Sequence, residues 1–254
     1  MRCFFIDHKK VTNPTPVICG TDAKHIKNVL RLKPGDKIGL FDGTGFEYEA
    51  RILAISPGGV EVSIVKSFPS TSESPVQIIM AQALLKDRKM DNLVRQLTEL
   101  GITRWIPFFA QRSIPRPDEK RLLTREKRWK KIAQEAVKQC KRGRTTEIDS
   151  IVSYEEMLNL GKECDLKVAF WENEKNSIDF VLSPSVQREV NKIFVLMGPE
   201  GGLTKAEIDR AKACGFVTAG LGPRILRAET ATIAACSILQ HLFGDMGEKN
   251  LDKD

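Results

Sequence analysis

A chain of 254 residues with 40 Lys and Arg against 33 Asp and Glu has a formal net charge of +7 and a pI near 9.1, the balance of a protein suited to an anionic partner. With 41% hydrophobic and 29% charged residues and a mean hydropathy of −0.25, wholesale disorder, collagen and coiled coil are excluded. No run reaches the roughly 18–20 apolar residues of a membrane span, and Asp7, His8, Lys9 and Lys10 stand where a secretory apolar region would be, so a cytoplasmic protein is expected.

From Met1 to about Phe68 the pattern is one of short alternating runs between turn residues. Lys37 to Phe41, Phe46 to Ile55 and Val60 to Val65 read as strands, and Ala23 to Leu32 as a short helix. Residues 1–70 are therefore expected to form a small β-barrel, closed to remove its edges. Residues 71–75, Ser- and Pro-rich with no apolar side chain to bury, read as a linker.

Beyond the linker the rhythm becomes strand, helix, strand. Val76 to Leu85 is a continuous apolar run, and Met90, Leu93, Val94, Leu97 and Leu100 recur at helical spacing up to Gly101, placed as a C′ glycine. Further strands are expected at Arg104 to Ala110, Leu166 to Trp171, Ile193 to Met197 and Phe216 to Leu221. Ser153-x-x-Glu156 and Thr204-x-x-Glu207 read as capping boxes, and a last helix as running from about Ala231 to Phe243. Residues 76–246 thus form an α/β domain with a mostly parallel sheet covered on both faces, and 247–254 a flexible tail.

Charge is concentrated in residues 112–146, where thirteen Lys or Arg face four Asp or Glu, a local net of +9 that leaves −2 for the remainder. Leu122, Trp129, Ile132, Ala133, Ala136, Val137 and Cys140 form a helical apolar stripe there. The basic side chains then project elsewhere, either as a solvated face or toward a polyanion. Arg112, Arg125, Arg128, Lys131 and Arg142 are candidates for contact with such a polyanion, with His25, Lys27, Arg31 and Lys33 on the small domain. Cys3, Cys19, Cys140, Cys164, Cys214 and Cys236 are widely spaced, with no C-x-x-C pair, so reduced thiols and no metal site are expected.

Two glycine-rich loops follow late strands: Gly198-Pro199-Glu200-Gly201-Gly202-Leu203-Thr204 and Leu221-Gly222-Pro223-Arg224-Ile225-Leu226-Arg227-Ala228-Glu229-Thr230-Ala231. Neither carries a phosphate-loop pattern, and Glu200 among the glycines would repel a phosphate. Each alone reads as a plain turn or as a place where backbone approaches a flat ligand.

Together the two loops resemble those of the RsmE family of ribosomal RNA methyltransferases, in the SPOUT superfamily. The likeness extends to Val29-Leu30-Arg31-Leu32-Lys33-Pro34-Gly35-Asp36 and to Glu135 to Arg142, where the family commonly has a glycine and this chain has Lys141. The resemblance implies a PUA-like N-terminal barrel, a C-terminal trefoil knot, a homodimer and S-adenosylmethionine as methyl donor. The implied reaction is N3-methylation of uridine 1498 of 16S rRNA in the small ribosomal subunit. An assembled subunit is the expected substrate, since two basic regions acting together read shape. Alternatives are another RNA, a ribose 2′-oxygen, or a non-catalytic assembly factor. Carried over as cofactor pocket are Leu196, Met197, Gly198, Glu200, Gly201, Gly202, Leu221, Gly222, Ile225, Leu226, Thr230 and Ala231.

Chemically, uridine N3 must lose a proton as it attacks, while charge spreads onto O2 and O4. Glu229 either accepts that proton or only favours a helix N-terminus and pairs with Arg227. Arg227 or Arg224 can stabilise the developing charge. Trp171, in Phe170-Trp171-Glu172, is either a third pocket wall or core.

Overall fold

The computed structural model describes residues 3–13, 15–86, 88–114, 116–178 and 190–247. The chain divides into two compact units, Met1–Glu73 with Val137–Thr145, and Ser74–Ala136 with Thr146–Asp254.

In the first unit, β1 (Cys3–Phe5), β2 (Val17–Ile18), β3 (Lys37–Phe41), β4 (Phe46–Ser56) and β5 (Gly59–Pro69) form one sheet in the order β1-β3-β4-β5-β2. Only β1 and β3 run parallel. The alternation of β3 to β5 buries Ile38, Leu40, Tyr48, Ala50, Ile52, Val60 and Val62 with Phe4, Ile18 and Ile26. Closure expected from the sequence is not made by strand pairing among the described residues, for β1 and β2 end the path.

A four-residue helix, α1 (His8–Val11), precedes β2. The helix expected from Ala23 starts earlier, as α2 (Gly20–Lys24), and then widens into a π-helical turn over His25–Val29, closed by Leu30 N–H donating to His25 O at 3.0 Å. That widened turn keeps Ile26 fully buried, and Arg31 at φ 52° ends it before Leu32. Within the expected linker, Ser72 and Glu73 belong to the first unit and bond to it. Ser72 Oγ donates to Lys141 O at 2.7 Å, and Glu73 accepts from the Arg142 guanidinium at 2.8 Å and from Arg144 N–H at 2.9 Å.

The second unit holds β6 (Gln77–Ala83), α3 (Lys89–Glu99), β7 (Arg104–Phe109), α4 (Glu119–Cys140, its last turn in the first unit), β8 (Glu147–Ile148), β9 (Val152–Ser153) and α5 (Tyr154–Leu160). Then come β10 (Leu166–Phe170), β11 (Lys192–Met197), α6 (Lys205–Ala213), β12 (Val217–Ala219) and α7 (Ala228–Phe243). The sheet runs β12-β10-β11-β6-β7-β8, with β9 also beside β7, and every pair is parallel. Alternate residues face opposite cores. Ile78, Met80, Ile193, Val195 and Met197 pack with α3, α4 and α7, while Ile79, Ala81, Phe194 and Leu196 pack with α5 and α6.

Both capping boxes are formed, and Gly101 follows α3 at φ +87°. On α4 the apolar stripe is seated by Trp129, whose ring meets Trp105 at 5.1 Å between centroids and whose Nε1–H donates to Asp91 at 3.0 Å. No helix among the described residues is long and apolar enough to cross a membrane. Of the expected tail, 248–254 lie outside the described residues.

Candidate active site

Strands β10, β11 and β12 lie side by side, so the loops leaving their carboxyl ends converge, as an open parallel sheet requires. They enclose a cavity of about 310 Å³. Phe170, Trp171 and Glu172 form one wall, the stretch from Met197 to Leu203 a second, and Leu221 to Leu226 a third, with Ala228 and Ala231 of α7 behind.

Ten of the twelve residues expected to hold a cofactor line this space: Met197, Gly198, Glu200, Gly201, Gly202, Leu221, Gly222, Ile225, Leu226 and Ala231. Leu196 and Thr230 do not. On β11 successive side chains oppose each other, and Leu196 goes to the α5–α6 core. On α7, Ala228 and Ala231 share a face three residues apart, which leaves Thr230 exposed on another. Trp171 is both, lining the cavity and packing against the α5–α6 core, and its buried Nε1–H finds no hydrogen-bond partner among the described residues.

The glycines serve different needs. Gly202 at φ +69° and Gly222 at φ +89° adopt the left-handed conformation, whereas Gly201 does not. A Cβ on Gly202 would overlap the Glu172 carboxylate. One on Gly198 would come 3.1 Å from Leu203 Cγ and N, and one on Gly201 would come 3.3 Å from Arg112 Cβ.

Beneath the loops, buried Gln82 donates to Gly198 O at 3.1 Å and accepts from the Thr232 hydroxyl of α7 at 2.6 Å. Lys89, at the start of α3, lies 3.1 Å from Glu200 Oε1 and 3.2 Å from Glu229 Oε2. Burial alone would raise the Glu200 pKa. The Lys86 N–H, its own N–H and the Lys89 ammonium outweigh that and hold it below the ordinary carboxylate value. Sequence reasoning passed over Gln82 and Lys89 because neither stands in a glycine loop.

Of the expected catalytic residues, Arg224 lines the cavity, while Arg227 is the exposed N-cap of α7 and Glu229 sits in its first turn, ion-paired to Lys89 rather than to Arg227. His25, Lys27, Arg31 and Lys33 are all exposed, on the π-helical turn and the loop after it. Lys131 is exposed and Arg125 half-buried. Arg128 pairs with Asp91 at 2.6 Å, and Arg112 donates to Gly201 O at 2.8 Å. Arg142 is only 3% exposed and held by Glu73, so it leaves the set of cations open to a phosphate. No group of three potential metal-ligating side chains occurs among the described residues, and all six cysteines are free thiols.

The cavity therefore combines apolar walls with glycine backbone and two carboxylates, Glu172 and Glu200. That donor set suits a flat aromatic ligand bearing positive charge better than one bearing phosphate.

Residues 72–240 match an RNA methyltransferase domain family and residues 18–65 an RNA methyltransferase PUA domain family. The chain is 32% identical over 247 residues to ribosomal RNA small subunit methyltransferase E of Bacillus subtilis, covering 95% of this chain and 96% of that one. It is 30% identical over 221 residues to the protein of the same name from Aquifex aeolicus, covering 87% and 91%. Among solved structures, ribosomal RNA small subunit methyltransferase E from Neisseria gonorrhoeae, bound to S-adenosyl methionine, superposes with a TM-score of 0.84 at 31% identity, covering 96% of this chain and 99% of that one.

Proposed function

The chain belongs to the ribosomal RNA small subunit methyltransferase E family, and from that premise we propose that its target is N3 of uridine 1498 in 16S rRNA, presented by an assembled small subunit in the cytoplasm. Its activity is S-adenosylmethionine-dependent methylation of ribosomal RNA. The observation that carries this reading is the cavity itself, whose apolar walls and paired carboxylates match an adenosine joined to a cationic sulfonium.

When bound, the donor supplies an electrophilic methyl group. Leu221, Ile225, Leu226 and Met197 would enclose its base beside the backbone of Gly198, Gly202 and Gly222, and Glu172 and Glu200 would favour its positive charge. Glu229 takes the N3 proton of the uridine, and Arg227 with Arg224 stabilises the charge that develops on O2 and O4. Because such a target base must leave its stack, the exposed cations of α4 and of residues 25–33 hold phosphates while the base turns in.

A homodimer and a trefoil knot complete the proposal. Supporting the first, Ile225 is 90% exposed at the cavity rim, and Ile233, Ile238 and Leu242 of α7 are only partly covered. Supporting the second, β12 ends the sheet beyond β10 while α7 returns to β6 and α3, where Thr232 donates to Gln82 at 2.6 Å and Gln240 to Leu100 O at 2.7 Å.

The deciding experiment is methyl transfer from labelled donor to small subunits lacking the modification, followed by nucleoside mass spectrometry. The expected product is 3-methyluridine. Methylation of a ribose hydroxyl, or of another base, would overturn the target; equal rates on a short free hairpin would overturn the requirement for an assembled subunit.

A further inference from the structure

We propose that Lys89 is a positioning residue that ties the two glycine-rich loops together, through Glu200 on the first and Glu229 beside the second. Its ammonium stands 3.1 Å from Glu200 Oε1 and 3.2 Å from Glu229 Oε2. The same Glu200 oxygen accepts from Lys86 N–H at 3.0 Å, so the turn before α3 grips the first loop twice. The three side chains are 31%, 25% and 27% exposed, shielded enough for their charges to act on one another.

The placement runs against local preference. Lys89 opens α3, where the helix dipole disfavours a cation. Two carboxylates brought from distant parts of the chain offset that cost, and Glu229, in the first turn of α7, sits at a helix end that favours it. Burial would lower the Lys89 pKa, but Glu200 and Glu229 outweigh it and hold the ammonium above its ordinary value. Glu229 Oε2 is buried and makes no hydrogen bond among the described residues, so the nearby ammonium is what orients it.

Without Lys89 the two carboxylates would be left as like charges on neighbouring loops. The first loop and α7 would then part, loosening the donor cavity, and Glu229 would lose its orientation. The second consequence rests on the reading that Glu229 faces the uridine; the first does not.

The test uses the full chain with Lys89→Met, Lys89→Gln and Lys89→Arg, each alone and combined with Glu200→Gln or Glu229→Gln. Donor affinity is read by calorimetry and single-turnover methylation on small subunits, with thermal midpoints as the folding control. Lys89→Met should weaken donor binding about tenfold and Lys89→Arg should restore most of it, as expected for a tie made through charge. Lys89→Met should add little to the affinity loss of Glu200→Gln, and little to the turnover loss of Glu229→Gln. Wild-type donor affinity in a folded Lys89→Met or Lys89→Gln variant would overturn the tie, as would full additivity with Glu200→Gln. If Glu229→Gln alone keeps wild-type turnover, the reading of Glu229 as proton acceptor fails, while the tie is still decided by the affinity measurements with Glu200.

Discussion

Asp42 gathers polar partners from His8, Thr44 and Tyr48. Its side chain is fully buried and accepts from Thr44 N–H at 2.9 Å, Thr44 Oγ1 at 2.7 Å and Tyr48 OH at 2.8 Å, with His8 Nδ1 at 2.6 Å. Burial would raise its pKa, but the bonds from His8, Thr44 and Tyr48 outweigh it and the value falls below normal. Burial, and then the Asp42 carboxylate, push Tyr48 up to about 12. A carboxyl with a depressed folded value contributes stability that is complete above its unfolded pKa, about 3.9, and is lost as pH falls through the folded one. Asp42→Asn should therefore cost about 1–3 kcal/mol at pH 7, and urea unfolding should show the deficit shrinking toward pH 3. A deficit equal at both pH values would refute the ionised network.

Lys141 is the other residue whose environment decides its worth. It ends α4 at φ 62°, with Arg142 N–H donating back to Val137 O at 3.2 Å, the closing bond of a left-handed C-cap. Glycine carries no Cβ penalty there. Lys141→Gly should stabilise the protein by about 0.5–1 kcal/mol, the relief of left-handed strain less the added freedom of the unfolded chain. Denaturant midpoints check it, and a loss of stability would show that the Lys141 side chain contributes more than its backbone strain costs.

At the scale of elements, the first glycine loop works by close approach. It leaves β11 and delivers the chain to the α6 capping box, where Glu207 bonds Thr204 and also accepts from Gln111 N–H at 2.8 Å, so both ends of the turn are fixed. Strain within it falls on Gly202, not Gly201. Gly202→Ala must displace Glu172 and adopt a disfavoured φ, and should weaken donor binding by about tenfold or more, since 1–2 kcal/mol of left-handed strain corresponds to that range. Gly201→Ala keeps an allowed φ and asks the Arg112 side chain, 3.3 Å from the new Cβ, to give by only a few tenths of an ångström, so it should lose less. Calorimetry giving the reverse order would mean that the loop changes shape around its ligand.

For the whole molecule, the proposed dimer is supported by the exposed Ile225 and the incompletely covered face of α7. Sedimentation at micromolar concentration should find about twice the 28.5 kDa of one chain. Ile225→Asp should shift that equilibrium toward monomer and lower turnover with it. A monomer that methylates at the full rate would sink the proposed dimer.

Sequence by itself determined the elements and the family. Alternation, helical spacing and cap residues are chemistry within a few neighbours, so β3 to β7, β10 and β11, both capping boxes and Gly101 were legible where they stand. Two glycine loops were enough to point to one end of the sheet, where the cavity lies. What only the tertiary structure decided are matters of facing and distance: that Leu196 and Thr230 turn away from the cavity, that Arg142 is buried on Glu73, that Gly202 rather than Gly201 carries the positive φ, and that Lys89 stands between two carboxylates. Thr232 reaches Gln82 across 150 residues of chain. Contacts of that kind depend on how strands order themselves in the sheet, and no local window of sequence contains the partner that decides them.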